Sequence, residues 1–434
     1  MKLIENTVSA FPLTCVTDGT KPTIHRFFDT SPISPSGRYI ALTEFDYDNR
    51  IPNPGDSANV VVIEIATGEY LYRTSTFAWD TQLGAQVQWG NTDSQLYFNR
   101  MHLTDFRPFG VCVNFLTLEE QTLDASIYMV SPCGSFSVTP NLNVLSRIQK
   151  GYGVIVPDDF SYSPPGISLT EGVTYLCLKK NESRLLFCID DICKAIFKDS
   201  VLSKYEVGFF YIFHTKISPC SKKLMLILRW AKELGARSDN FLVIYDFDSK
   251  KFTLAIDNIR WRHGHHPNWC PNSNSIVMNL LFKSKPYIVS DLVLIFQKVL
   301  NKFGIRYING LSNIRIGLYH LGTKEIENYS GKTLGSGHPI MLSKAEIVIT
   351  DCYPNELVAY KDQSVPIRLI KRGGFQTVLA RLDTKPVFYG PDKIWRIDPH
   401  PVVTSDERFL VVNASVDGIR QVLLIDIRNI YDLA

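Results

Sequence analysis

A chain of 434 residues that is 45% hydrophobic and 12% aromatic can bury a large core. Its 46 basic and 43 acidic residues nearly cancel, and no basic run is interleaved with aromatics, which argues against nucleic acid as a partner. No sustained helical period runs through it, which argues against a pair of α/β domains.

The N-terminal stretch MKLIENTVSAFPLTC carries Glu5 and Asn6 where a secretory signal would need an unbroken apolar run. The nine cysteines are scattered, with no CxxC pair and only Cys188 and Cys193 at all close. They read as thiols in a reducing cytoplasm rather than as a disulfide framework.

From residue 30 onward the chain repeats. Thr30 stands ten residues before Ile40 in TSPISPSGRYIALTEF, Gln86 ten before Leu96 in QVQWGNTDSQLYFNR, and Tyr128 ten before Val138 in YMVSPCGSFSVTPN. The same frame continues with His214 before Leu224, His266 before Ile276 and His400 before Leu410, while His338 sits nine residues before Ile347. Each lead residue opens a short extended stretch, a turn and a β-rich run. A further strand pair follows, such as ANVVVIEIATGEYL, NFLVIYDFDSKKFTLA or RQVLLIDI, several with a two-residue turn such as Thr67-Gly68 or Asp248-Ser249.

Seven such units predict an all-β, seven-bladed β-propeller. It should be one domain over residues 1–434, with loop insertions and with the segment before Thr30 pairing into the last blade so that no sheet edge is left free. The spacing from Tyr128 to His214 is 86 residues, against 42 from Gln86 to Tyr128. One strand pair, 173–189, is legible in that gap, so an insertion is preferred to an eighth blade. The apolar stretch from Leu292 to Leu300, preceded by Ser290 and Asp291 and closed by Gly304, reads as a short inserted helix, too short to span a bilayer.

A residue at one repeat position occupies one place around the propeller axis. His214, His266, His338 and His400 therefore form an arc at one face of the central channel. Converging neutral imidazoles need a metal ion, a carboxylate or an anionic ligand as partner. Asp398 lies two residues before His400 on an extended stretch, so both side chains share a face. Asp398, His400 and His338 then make a carboxylate–imidazole metal set suited to zinc or manganese, with His266 next in the arc. His263, His265 and Cys270 crowd the same segment as His266, WRHGHHPNWC, and offer a zinc alternative. His102 is a candidate proton-transfer group if the loop after the second unit covers the channel. His320 reads as surface structure on an outer strand, and His25 has no supporting context.

The segments IDPHPVVTSDERFLVVNASVDGIRQVLLIDI, GHPIMLSKAEIVITD, WDTQLGAQVQWG and HTKISPCSKKLMLILRW resemble the propeller polysaccharide lyases, namely the oligogalacturonate and ulvan lyases and related propellers of bacterial surface-glycan loci. The resemblance implies a divalent metal held by histidines and a glutamine, with a histidine and an arginine acting in proton abstraction and charge neutralisation. His338 and His400 match metal ligands, Asp398 stands where another ligand histidine is expected, and Trp395 stands near the glutamine. His266 falls near the proton-abstracting histidine. The ulvan-lyase pattern implies a histidine near Gln86, a second where His102 stands, and a tyrosine near Tyr152; Gln86 cannot act as a base.

Such a lyase neutralises a uronate carboxylate, removes the C5 proton and protonates the leaving oxygen. A metal or Arg229 serves the first task, His266 or His214 the second, and Tyr152 is an acid or base. The implied substrate is an acidic oligosaccharide or polysaccharide. A non-catalytic propeller that binds a glycan or a glycan-assembly protein is the alternative. A hydrolase would need an acidic pair, for which Asp351 and Asp398 are the candidates.

Overall fold

The computed structural model describes residues 2–3, 9–161, 165–205, 207–236, 238–261, 264–282 and 314–433. Its strands make seven antiparallel sheets in a seven-bladed β-propeller. Blade four shows the pattern at its fullest, with strands Phe209–Ile217, Lys223–Ala231, Asp239–Asp246 and Lys251–Ile256 in sequential order. The last blade takes Val402–Val403, Phe409–Val416 and Ile419–Asp426 from the C-terminal end and Leu13–Cys15 from the N-terminal end, with Leu13 opposite Ile425. Lys2–Leu3 adds a further strand outside Leu13–Cys15. Residues up to Cys15 thus close the last blade as expected, while Thr23–Ile24, also before Thr30, instead opens blade one.

Burial explains the strand sequences. Second strands are sandwiched between neighbouring blades on both faces, so they read as almost unbroken apolar runs: Leu224 to Leu228 are all buried, as is all of Tyr39–Phe45. Outermost strands face solvent, and Glu119–Thr122, EEQT, is exposed throughout. Each fully buried Ile, Leu or Phe contributes about 1.5–3 kcal/mol, which is why the inner strands and not the rim hold the blades together. The two hairpins expected to turn at Thr67-Gly68 and Asp248-Ser249 have longer connections, whereas Asp417-Gly418 joins Phe409–Val416 to Ile419–Asp426 with two left-handed residues. Residues 65–69 connect Ala58–Glu64 to Tyr70–Thr76 with Gly68 at φ +78°, and 247–250 connect the last two strands of blade four with Lys250 at φ +56°. The left-handed residue lets a turn of this length close the hairpin.

The long Tyr128 to His214 spacing holds insertions, not an eighth blade. Between Phe136–Pro140 and Gly172–Cys177 of blade three lies a helix, Leu142–Ile148, whose Asn141 side chain accepts from the backbone N–H groups of Asn143 and Val144. A second helix, Ile189–Ile196, follows the blade. Seven- and eight-residue helices offer too little periodicity to be read against strand patterns. The inserted helix expected at Leu292 to Leu300 lies outside the described residues. Among the described residues, no helix is long and apolar enough to cross a membrane.

Blade one departs from the repeat. Its innermost strand is Thr23–Ile24, and residues 25–32 loop away before Ile33 bridges to Ile40. Phe27 and Phe28 on that loop are each 1% exposed and touch histidines of four other blades. The loop therefore plugs the channel.

Candidate active site

Four of the seven lead positions share a backbone conformation as well as a sequence frame. Gln86, His214, His266 and His400 all have left-handed φ, between +47° and +59°. In blades four and five the residue interrupts the pairing of the first two strands, between Phe213 and Thr215 and between His265 and Asn268. Such a bulge re-aims one side chain, here into the channel. A non-glycine residue held there costs of the order of 1–3 kcal/mol, and such strain concentrates at functional sites. Blade six explains the one irregular spacing. Gly337, not His338, is the residue ten before Ile347, and it carries the left-handed φ of +67°.

Three of the four arc histidines pack in a row, with His338 in contact with both His266 and His400. Ring centroids of His266 and His338 lie 3.9 Å apart and those of His338 and His400 4.3 Å apart. His214 is separated from them by Phe27, whose ring lies 4.9 Å from His214 and 4.6 Å from His400. His25 also belongs to this cluster, which its sequence context did not indicate. It is fully buried, its ring lies 6.4 Å from His400, and its Nε2 faces the Pro399 carbonyl at 3.4 Å.

One ligand atom each from His338, Asp398 and His400 falls within 4.8 Å of the other two, and all three residues are buried. The hydrogen bonding leaves nitrogens for a ligand. His338 Nδ1 is 2.9 Å from Asp351 Oδ2, while His338 Nε2 and both ring nitrogens of His400 have no hydrogen-bond partner among the described residues. Each such buried atom costs about 1–3 kcal/mol unless something occupies it. Two imidazoles and a carboxylate suit zinc, manganese or iron(II), so these residues fit the divalent ion expected from the sequence. Arg396 competes for the carboxylate, with Nε 2.8 Å from Asp398 Oδ2. Trp395 supplies no ligand: its indole is 1% exposed, packs beside Trp79 and Phe45 and donates to the Arg50 carbonyl at 2.7 Å.

Beside the trio is a cavity of about 160 Å³. Four of the five residues expected to be catalytic, Tyr152, His214, Arg229 and His266, line it together with Lys216, Tyr353 and Arg396. His266 Nδ1 is 2.7 Å from the Gly337 carbonyl, which can only accept, so Nδ1 carries the proton and Nε2 is the basic atom. The Tyr353 hydroxyl donates to that Nε2 at 3.1 Å. Tyr152 is held from two sides. Gly153 N–H donates to Asp80 at 2.9 Å, and Arg396 Nη2 donates to the Tyr152 hydroxyl at 3.1 Å. Arg229 donates to Gln149 at 2.9 Å and stacks on Phe213, and among the described residues it forms no ion pair with a carboxylate. Lys216, 1% exposed, pairs with Asp29 at 3.2 Å and lies 3.8 Å from the Phe28 ring centroid.

Burial sets the protonation states. It holds His214, His266 and His400 well below the ordinary histidine value, and His25 at about 4, so these imidazoles are neutral at pH 7. Burial also raises Tyr353 and Tyr152, which keeps both phenols protonated.

Two expectations need correction. His102 is exposed at the end of strand Gln95–His102, stacked on Phe109 at 4.4 Å in a surface pocket with Arg107 and Asp124. Strand pairing with Arg107 holds it there, at the surface rather than over the channel. Cys270 does not join His266: it is fully buried in an apolar cluster with Val277, Ile316 and Val348, where burial pushes its thiol up to about 12. His265 does line the cavity beside His266, and His263 lies outside the described residues. Gln86 accepts from Arg26 at 3.2 Å, a structural role for a residue that cannot serve as a base. His320 is tied to Ser275 and Glu327 at the end of strand Ile314–His320, as a surface role requires.

No protein-family model matches the chain, and no curated protein matches its sequence. Solved structures do match in fold. An oligogalacturonate lyase in complex with manganese superposes with a TM-score of 0.61 at 13% identity, over 98% of this chain and 96% of that one. An oligogalacturonate lyase from Vibrio parahaemolyticus gives 0.61 at 11% identity, over 99% and 98%. The tricorn protease gives 0.51 at 10% identity, over 98% of this chain but 34% of its own. At these identities the likeness concerns architecture: the chain has the seven-bladed propeller fold that the oligogalacturonate lyases have.

Proposed function

We propose that this propeller is a cytoplasmic lyase that cleaves an acidic, uronate-containing oligosaccharide by β-elimination, with a divalent cation, manganese or zinc, held by His338, Asp398 and His400. The observation that carries the reading is the buried His–Asp–His trio, whose imidazole nitrogens include three with no hydrogen-bond partner among the described residues, beside a cavity lined by Arg229 and a neutral histidine. When bound, the cation would help neutralise the substrate carboxylate. Arg229, which lines the cavity, serves the same end. His266 Nε2 takes the C5 proton, the C5–H electron pair forms the C4=C5 double bond, the C4–O bond breaks, and the Tyr152 hydroxyl, steadied by Arg396, supplies the proton to the leaving oxygen. Tyr353 must release Nε2 as substrate enters.

A second reading, a propeller that binds an acidic glycan without turning it over, draws support from the Arg396 guanidinium on Asp398 and from Trp395 in place of a ligand glutamine. Incubation of the protein with a panel of uronate oligosaccharides and manganese separates the two. The lyase reading expects a rise in near-ultraviolet absorbance, because elimination conjugates the new double bond with the carboxylate. Binding of a panel member with no absorbance change establishes the second reading instead.

A further inference from the structure

We propose that Asp351 is the positioning residue of the metal site: it fixes the tautomer of His338 and the backbone of His400 together, so that the nitrogens of two adjacent blades face one point. The inference rests on the metal reading above for its consequence, but its geometry stands independently.

Asp351 follows the second strand of blade six, Ile347–Thr350, and is fully buried. Its Oδ1 accepts the His338 backbone N–H at 2.5 Å. His338 Nδ1 lies 2.9 Å from Oδ2 and 3.1 Å from Oδ1. Oδ2 also accepts the His400 backbone N–H from blade seven, at 3.2 Å. An ionised carboxylate only accepts, so Nδ1 of His338 must carry the proton and Nε2 must be a bare lone pair. That atom is buried and has no hydrogen-bond partner among the described residues. A carboxylate on the far nitrogen of a ligand histidine fixes ring and tautomer and raises the donor strength of the near nitrogen.

The sequence around His338 is built to admit this carboxylate. A Cβ on Gly337 would lie 2.1 Å from Asp351 Oδ1 and 2.3 Å from its carbonyl oxygen, so a side chain at the left-handed position would expel Asp351. Blade six therefore has glycine at the position that carries histidine in blades four, five and seven, and places its histidine one residue later. Arg368, a buried guanidinium on the paired strand opposite Thr350, donates to the Leu334 carbonyl at 2.8 Å.

The test has two arms. Nitrogen NMR of imidazole-labelled wild-type protein, freed of metal, should show His338 as the Nδ1–H tautomer; finding the Nε2–H tautomer overturns the proposal whatever any variant does. Calorimetric titration with manganese should show Asp351→Asn binding about 10–100-fold more weakly than wild type, with the propeller's circular dichroism unchanged. A folded variant that binds manganese as tightly as wild type overturns the positioning role. If wild-type protein binds no manganese or zinc, the metal reading fails, and the tautomer, with its loss in Asp351→Asn, still decides what Asp351 does.

Discussion

Replacing His266 with alanine is expected to lower uronide turnover by about 10²–10⁴-fold, the usual contribution of a positioned general base, while leaving the fold and the metal content intact. Three features of the site lead to that result. The Gly337 carbonyl fixes the proton on Nδ1 and leaves Nε2 free to accept. Burial keeps the ring neutral at pH 7. The ring also borders the same cavity as Arg229 and Tyr152, so base, neutralising cation and acid reach one substrate. His214 shares the cavity, but its Nδ1 is engaged by the Tyr128 hydroxyl and its ring is packed between Phe213 and Phe27. His214→Ala should therefore act mainly through packing. Initial rates at saturating and at limiting substrate check both variants. A His266→Ala protein within threefold of wild type removes His266 from the chemistry.

The second large effect is on stability in acid. A histidine whose folded-state value is depressed is neutral in the fold, whereas the unfolded chain takes up a proton near 6.5. Between those values the unfolded state binds more protons, so stability is lost as pH falls through the window and is unaffected above it. His25, at about 4, has a window from about 6.5 down to about 4. At pH 5 the loss from His25 alone is about 1.5 units, or about 2 kcal/mol. His214, His266 and His400, also lowered by burial, act in the same direction. Asp80, pushed up to about 8 by burial, acts in the opposite sense, since its folded form holds a proton that the unfolded chain has released. Comparison with His25→Gln isolates one histidine, because glutamine cannot charge and its amide can still donate to the Pro399 carbonyl. Urea denaturation at pH 7.5 and pH 5.0 should show wild type losing about 2 kcal/mol more than His25→Gln. Equal losses would mean that His25 is not held neutral by the plug.

What was legible in the sequence was what repeated. The ten-residue frame located the left-handed bulge residue of blades two, four, five and seven, and its one irregularity marked the blade where glycine takes that conformation and histidine follows it. The metal trio followed from the frame and from the alternation that puts Asp398 and His400 on one face. What does not repeat was not legible. Phe27, Phe28 and His25 reach the histidines from a loop peculiar to blade one, across sequence separations that no local pattern reports. Asp351 and Tyr353 follow the second strand of a single blade, and the bonds that give them roles, to His338, His400 and His266, are long-range. A histidine following an apolar strand run reads as a loop residue, yet the strand continues through His102 to pair with Arg107.

The most direct test is a crystal structure of the protein with manganese and a short uronate oligosaccharide, with the ion located by anomalous scattering. The account predicts an anomalous peak about 2.0–2.3 Å from His338 Nε2, an Asp398 oxygen and a His400 nitrogen, and a sugar carboxylate in the cavity between Arg229 and that peak. A strong peak elsewhere, or an oligosaccharide bound away from this cavity with the trio free of metal, would contradict it.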